Sequence, residues 1–318
     1  MSGVPGPAAG PPPGEPALNS GRTGPKPTPV RGWRLWFEGA RPKTLGVAVA
    51  PVLVGTAAGA LGESIRWGRA IAALVVALAL QVGVNYANDY SDGVRGTDKD
   101  RRGPVRLVAS GLASPAAVRN AALIAFGVAA VVGAVLSLVV APWLLVIGAA
   151  AILAAVTYTG GPKPYGYLGL GEVMVLLFFG FVATLGSAYV QYRALPAEAW
   201  WGALAVGLPA CGILLANNVR DVATDVVAGK RTLAVRIGAA RARLLYAGCL
   251  GGALAAVVGC AIWHPWALLA LAAAPLAITP SRLVLTRSDP PSLVGALIRT
   301  VRFQLVLAAL LAVGLRLG

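Results

Sequence analysis

Ala70-Ile-Ala-Ala-Leu-Val-Val-Ala-Leu-Ala-Leu-Gln-Val-Gly-Val-Asn-Tyr-Ala-Asn-Asp-Tyr-Ser-Asp92 begins as an unbroken apolar run and ends in carboxylates. Residues three or four apart share a helix face. Gln81, Asn85, Asn88 and Asp92 therefore form one polar stripe, with Asp89 beside it, and Asp98 and Asp100 follow a few residues on. A second run ends the same way in Asn217-Asn-Val-Arg-Asp-Val-Ala-Thr-Asp225, which puts Asn218, Asp221 and Asp225 on one face. The chain has only 12 acidic residues, and half of them are Asp89, Asp92, Asp98, Asp100, Asp221 and Asp225. A charge inside an apolar span costs about 2.5–3.5 kcal/mol on insertion scales, so such groups mark paired, functional positions.

The rest of the chain has the same apolar character. It is 318 residues long, 57% hydrophobic, with mean hydropathy +0.74. Stretches of the roughly 17–25 residues needed to cross a bilayer recur along it. We place nine, near 44–61, 69–88, 118–140, 142–158, 170–190, 198–218, 241–262, 265–280 and 299–317. Tight breaks at Ala141-Pro-Trp143 and Trp263-His-Pro265 use a proline that suits a helix start. The expected fold is all-α: a polytopic membrane protein whose two acidic clusters recur four spans apart. That echo implies two facing four-helix halves with a site between them.

Orientation follows from the cations. With a cytoplasmic N-terminus, all 27 Lys and Arg except Arg66, Arg69, Arg193 and Arg316 fall on the cytoplasmic side, a strong positive-inside bias. The site then faces the cytoplasm from a multi-pass protein of the cell membrane. Basic residues sit between spans rather than in a recognition module, so the net charge of +15 does not point to nucleic acid. Residues 1–30 are rich in Pro, Gly and Ala, lack the apolar core of a secretory signal and read as a disordered tail; 31–318 form the membrane domain. Cys211, Cys249 and Cys260 lie in apolar runs and make neither a disulfide framework nor a metal spacing. His264, the single histidine, reads as a loop residue.

Two facing carboxylate clusters repel one another unless cations lie between them. Hard oxygen donors suit Mg²⁺, which is typically held by a few carboxylates together with substrate phosphates. Lys163, Lys230 and Arg231 lie near the clusters, and with the metal they could neutralise a diphosphate leaving group. Apolar helices would hold a prenyl tail. A divalent-cation transporter is the reading from another class, although the acidic clusters lie on one membrane side only. Glu172, at the start of the fifth span, suits either a helix N-terminal charge or a site residue.

The motif Asn88-Asp-x-x-Asp-x-x-x-x-x-Asp98 with Asp221-x-x-x-Asp225 resembles the two aspartate-rich motifs of the UbiA superfamily of intramembrane prenyltransferases. The flanking stretches Ala40-Arg-Pro-Lys-Thr-Leu45, Tyr158-Thr-Gly-Gly-Pro-Lys-Pro-Tyr-Gly-Tyr-Leu-Gly-Leu-Gly-Glu172 and Asn217 to Ala234 are similar to its 1,4-dihydroxy-2-naphthoate branch (MenA). That resemblance covers roughly residues 40–318. It implies Mg²⁺-dependent transfer of a polyprenyl chain from a diphosphate to the naphthoate ring, with loss of the ring carboxylate, giving demethylmenaquinone for menaquinone biosynthesis. Residue by residue, it implies Asp89, Asp92, Asp221 and Asp225 as catalytic and metal-holding, with Asp98 supporting the metal. Asn85, Asn88, Lys163, Lys230 and Arg231 become substrate-binding, and Arg41 a candidate for the acceptor carboxylate or the diphosphate. The residues by themselves leave open another aromatic acceptor, such as 4-hydroxybenzoate or homogentisate. Prenyl chain length and oligomeric state are not legible.

Overall fold

The computed structural model describes residues 32–96 and 106–317. The tail assigned to 1–30 and the positions of Asp98 and Asp100 lie outside the described residues. Everything below concerns the unit beginning at Gly32.

All regular structure among the described residues is helical. An amphipathic α1 (Trp33–Gly39) leads through a 3₁₀ turn (Pro42–Thr44) into α2 (Gly46–Gly59), bent by 54° from the lead-in. There follow α3 (Trp67–Arg95), α4 (Pro115–Val140) and α5 (Leu144–Thr157). Next comes a continuous helix Gly171–Tyr192 made of α6 (Gly171–Val175), a π-helical segment (Leu176–Val182) and α7 (Ala183–Tyr192). The chain ends with α8 (Ala197–Val227), α9 (Leu233–Ile237), α10 (Ala239–Ala261), a 3₁₀ segment Pro265–Ala273, α11 (Pro275–Thr286) and α12 (Pro290–Gly314). Helix starts follow local chemistry. Ser114 and Asp289 accept from Ala117 N and Ser292 N, each followed by a proline at the first helical position, where its missing N–H costs nothing.

Six helices are long and apolar enough to span a membrane, or eight if each bent pair counts as one. The count of nine is not reached on this measure because α5 has only 14 residues. At 1.5 Å per residue it is about 21 Å long, short of the roughly 30 Å hydrocarbon core. The eighth expected span is the 3₁₀ segment plus α11, bent by 48° between Ala273 and Pro275. Both expected tight breaks are present, since α4 stops at Val140 and α10 at Ala261.

Packing is unequal. α2, α7, α8, α10 and α12 share one large core containing Val54, Leu215, Tyr246, Phe303 and Leu311. α3, α4 and α5 meet in a smaller cluster around Tyr86, Leu107 and Phe126. Small residues allow the closest approach: a Cβ on Gly55 or Gly59 would lie 2.2 Å from the carbonyl oxygen of Thr184 or Ala188 in α7, the packing that small-xxx-small patterns permit. Pro209 lies inside the continuous α8, and the buried Gln304 of α12 donates to the Val206 carbonyl at 2.7 Å, a side-chain bond between two helices. Buried polar groups in a bilayer need such partners.

Two of the four arginines expected on the far side cap helix ends. Arg69 donates to the carbonyls of Val190 and Gln191, both at 2.8 Å, and Arg316 to those of Ala60 and Glu63. They satisfy the carbonyls at the ends of α7 and α2, which a cation at a helix C-terminus does well.

The π segment positions a wall. Gly171, Val175, Phe179, Ala183 and Ser187, one every four residues, all line a single apolar cavity. In an α-helix each four-residue step overshoots a full turn by about 40°, so such a stripe would wind off the cavity. Bonding i→i+5 lengthens each turn by about one residue and offsets that rotation.

Candidate functional site

α3 and α8 bring their polar ends together, as facing acidic clusters require. A polar cavity of about 70 Å³ lies between them, lined among others by Arg41, Asn88, Asp92, Arg106, Tyr158, Asn217, Asp221, Asp225 and Lys230. Below it is the apolar cavity of about 560 Å³, bounded by α2, α3, α4, α5, the Gly171–Tyr192 helix and α8. Arg41, Asn88, Tyr158 and Asn217 line both, so the two spaces adjoin at these four residues.

Asp92 is the electrostatic centre, only 3% exposed. It accepts from the Tyr167 hydroxyl at 2.6 Å and from Lys230 Nζ at 3.1 Å, and Arg106 lies 3.8 Å away. Lys230 also sits 4.7 Å from the centre of the Tyr167 ring. Burial, and next the Asp92 carboxylate, push the Tyr167 phenol above its ordinary range, so it stays a donor to Asp92 at neutral pH. Tyr165, stacked edge-on against Tyr158 at 5.4 Å, is pushed up to about 12 by burial. On α8, Arg220 makes a bidentate pair with Asp221, both bonds 2.7 Å, and also donates to Asn217 Oδ1. Such planar fork pairing is the strongest available to a carboxylate. Asp225 lines the cavity, 3.5 Å from the Thr232 hydroxyl.

Other expected residues have different surroundings. Asp89 is 1% exposed, and its oxygens accept the backbone N–H groups of Leu107, at 2.8 Å, and Val108, at 3.1 Å. It anchors the chain where it returns after the segment 97–105. Asn85 lines the apolar cavity and donates to the Ala40 carbonyl at 2.8 Å, while Tyr86 donates to Trp36, clamping α1 onto α3. The clamp sits beside Arg41, whose backbone is left-handed (φ 56°). A non-glycine residue there is strained, and such strain clusters at functional sites. Asn88 accepts from the Thr159 hydroxyl at 2.7 Å. Lys163 is exposed and lines neither cavity. Arg231 is exposed too, and its backbone N–H donates to the Tyr167 carbonyl at 2.9 Å, tying that loop to the end of α8. Glu172 is buried and accepts from Asn218 at 2.9 Å, so it holds α6 to α8 rather than lining the cavity.

Tyr167, Arg220 and Thr159 were not singled out from sequence as site residues. Each lies inside a motif-bearing stretch, but no spacing rule marks a tyrosine that meets a lysine from a distant segment or an arginine next to its own aspartate. The donors around the polar cavity are carboxylate, amide and hydroxyl oxygens, the chemistry of a hard cation. Among the described residues no three acidic, His or Cys side chains converge closely enough to hold an ion alone.

Known proteins agree with this geometry. The family model for the UbiA prenyltransferase family matches residues 48–312. The chain is 48% identical over 286 residues to a 1,4-dihydroxy-2-naphthoate octaprenyltransferase of Mycobacterium tuberculosis, covering 89% of this chain and 97% of that one. It is 39% identical over 302 residues to the protein of the same name from Escherichia coli, covering 90% and 96%. In fold it is similar to a UbiA homolog from Archaeoglobus fulgidus solved with GPP and Mg²⁺ (TM-score 0.62, 14% identity, 87% of this chain and 99% of that chain). The helical fold is thus shared with a solved protein, and by the family match and these identities the chain belongs to the UbiA prenyltransferase family.

Proposed function

We propose that this multi-pass membrane protein transfers a polyprenyl group from an allylic diphosphate to 1,4-dihydroxy-2-naphthoate. The ring carboxylate leaves as carbon dioxide, and the product is demethylmenaquinone in its quinol form, an intermediate of menaquinone biosynthesis. The observation that carries this reading is a small, charged cavity set against a long apolar one, with Arg41, Asn88, Tyr158 and Asn217 lining both. A diphosphate and a prenyl tail have that same division. The relatives named for the naphthoate favour it over hydroxybenzoate or homogentisate. Membership of a prenyltransferase family leaves the transporter reading without support.

Asp92, Asp221 and Asp225, with Asn88, would hold Mg²⁺, and Asp98 from outside the described residues would join them. Bound there, the metal supplies charge neutralisation of the departing diphosphate. Lys230 and Arg106, which line the polar cavity, take up phosphate oxygens as the C1–O bond breaks and its electron pair leaves with the diphosphate. Arg41, at the junction, suits the carboxylate of the acceptor. The ring carbon then attacks C1 of the prenyl cation, while the apolar walls exclude water that would otherwise capture it. The excess of Lys and Arg in alternate connections supports a cytoplasmic site and N-terminus.

The purified protein in detergent tests this. Offered the naphthoate, hydroxybenzoate and homogentisate separately with a polyprenyl diphosphate, it should give a decarboxylated product from the naphthoate alone, lost in EDTA and restored by Mg²⁺. Product from another ring would overturn the acceptor, and no product from any would overturn the reading.

A second prediction concerns Asp89. We assign it the anchoring of the 106–108 return, so Asp89→Asn acts through Arg106. It should lower turnover by about tenfold, the worth of one charge-assisted bond, with the Mg²⁺ concentration for half-maximal activity unchanged. A shift in that concentration like that of Asp225→Asn would make Asp89 a metal ligand after all.

A further inference from the structure

Glycines in these helices fall into two kinds. At Gly55, Gly59, Gly180 and Gly207 an added Cβ would lie between 2.2 and 3.1 Å from a backbone atom of the neighbouring helix, so packing itself demands glycine. Gly186 and Gly133 are different. Nothing lies within 4 Å of a Cβ built on Gly186, and at Gly133 only Val76 Cγ2 does, at an ordinary 3.7 Å. Glycine in a helix interior costs roughly 0.5–1 kcal/mol relative to alanine, and helix packing gives no return at these two positions. Both line the apolar cavity, Gly133 from α4 and Gly186 from α7.

Their depth can be read from the helices. Val76, beside Gly133, precedes Asn88 by twelve residues on α3, about 18 Å along the axis. Gly186 follows Gly171, at the start of the same helix, by fifteen residues, about 20 Å once the lower rise of the π segment between them is allowed for. An extended chain advances roughly 1.2 Å per bond, so each four-bond isoprene unit takes about 5 Å. Both glycines therefore lie about four units from the polar end of the apolar cavity. Val190, Ser137 and Leu144 continue the lining past them.

Resting on the prenyl-transfer reading above, we infer that Gly133 and Gly186 form an open passage that admits donors longer than about four isoprene units. They would be determinants of chain length, with no part in the bond-breaking chemistry. Filling either one should create a stop at that depth.

The test compares Gly186→Leu and Gly133→Leu with wild type, using farnesyl and octaprenyl diphosphates of three and eight units. Both variants should retain the farnesyl kcat/KM within about twofold while the octaprenyl value falls about tenfold or more, the range a filled apolar pocket produces. Equal losses with both donors would overturn the inference and return these glycines to a packing role. So would unchanged values with both. Gly186→Ala and Gly133→Ala carry the same comparison, with a smaller contrast, if the leucine variants do not accumulate. Wild-type protein that uses farnesyl but rejects octaprenyl diphosphate would also overturn it. Wild-type protein that uses neither overturns the functional reading itself, which separates the two failures.

Discussion

Asp92→Asn is expected to lower prenyl transfer by about a thousandfold or more while the protein still inserts and unfolds at nearly its normal temperature. The substitution preserves shape: an asparagine Oδ1 can still accept from Tyr167 and Lys230, which now lie 2.6 and 3.1 Å from the carboxylate. What is lost is one negative charge at the point where α3, the Tyr158–Glu172 stretch and the end of α8 meet. Groups aimed at charge that develops in a transition state are each worth about 10²–10³ in rate. Asp92 bears on two such elements, the metal it would hold and the Lys230–Arg106 pair it positions. The comparison with Asp92→Ala is informative. Alanine removes the accepting oxygen of Tyr167 and the buried Lys230 as well as the charge, and breaking a buried pair costs roughly 3–5 kcal/mol, so that variant should lose stability as well as activity. Turnover measured beside thermal unfolding in detergent separates the two. An Asp92→Asn protein with ordinary turnover would remove Asp92 from the centre of the site.

The same geometry explains how much of the site was legible in sequence. Asp92, Asp221 and Asp225 were visible because charges ending apolar runs are rare and costly, and a helical period of 3.6 puts Asn88 with Asp92 and Asn218 with Asp221 and Asp225. All reach the polar cavity. Periodicity cannot tell a carboxylate facing a cavity from one turned towards a returning loop, and Asp89 is adjacent to Asn88 in sequence but faces Leu107 and Val108. Nearness in sequence to a motif also does not fix where a loop side chain lies, and Lys163 is exposed and lines neither cavity. Lys230 lines the polar cavity because Gly229, with φ 71°, turns the chain back immediately after α8. Architecture was read by length and hydropathy, which give the helices and their ends. They do not give the π segment, whose only trace is the four-residue spacing of cavity-lining residues from Gly171 to Ser187. Nor do they show that α2 shares its core with α7, α8 and α12 instead of α3 alone.

That association of α2 with α7 carries the largest structural effect we expect. Gly59→Val should abolish accumulation of folded protein, and Gly59→Ala should lower stability by about 3 kcal/mol or more, at the upper end for overpacked interiors. An added Cβ at Gly59 meets the Ala188 carbonyl oxygen at 2.2 Å and Ala188 Cα at 2.5 Å. These are backbone atoms, so no rotamer change can relieve the contact, and the helices must separate. Separation costs more than the local overlap. Gly55 lies one turn away with the same 2.2 Å approach, to Thr184, so a shift at one glycine opens the other and forfeits dispersion contacts along the seam, the main attraction between helices in a bilayer. It would also displace Ser187, which lines the apolar cavity. Residual folded protein should therefore show altered donor-length preference along with lower stability. Gly127→Ala, on α4 with nothing within 4 Å of its added Cβ, is the matched control. It should be neutral or slightly stabilising, since alanine is the better helix former. Equal stability of Gly59→Ala and Gly127→Ala, measured by thermal unfolding in the same detergent, would show that α2 and α7 do not pack at this distance.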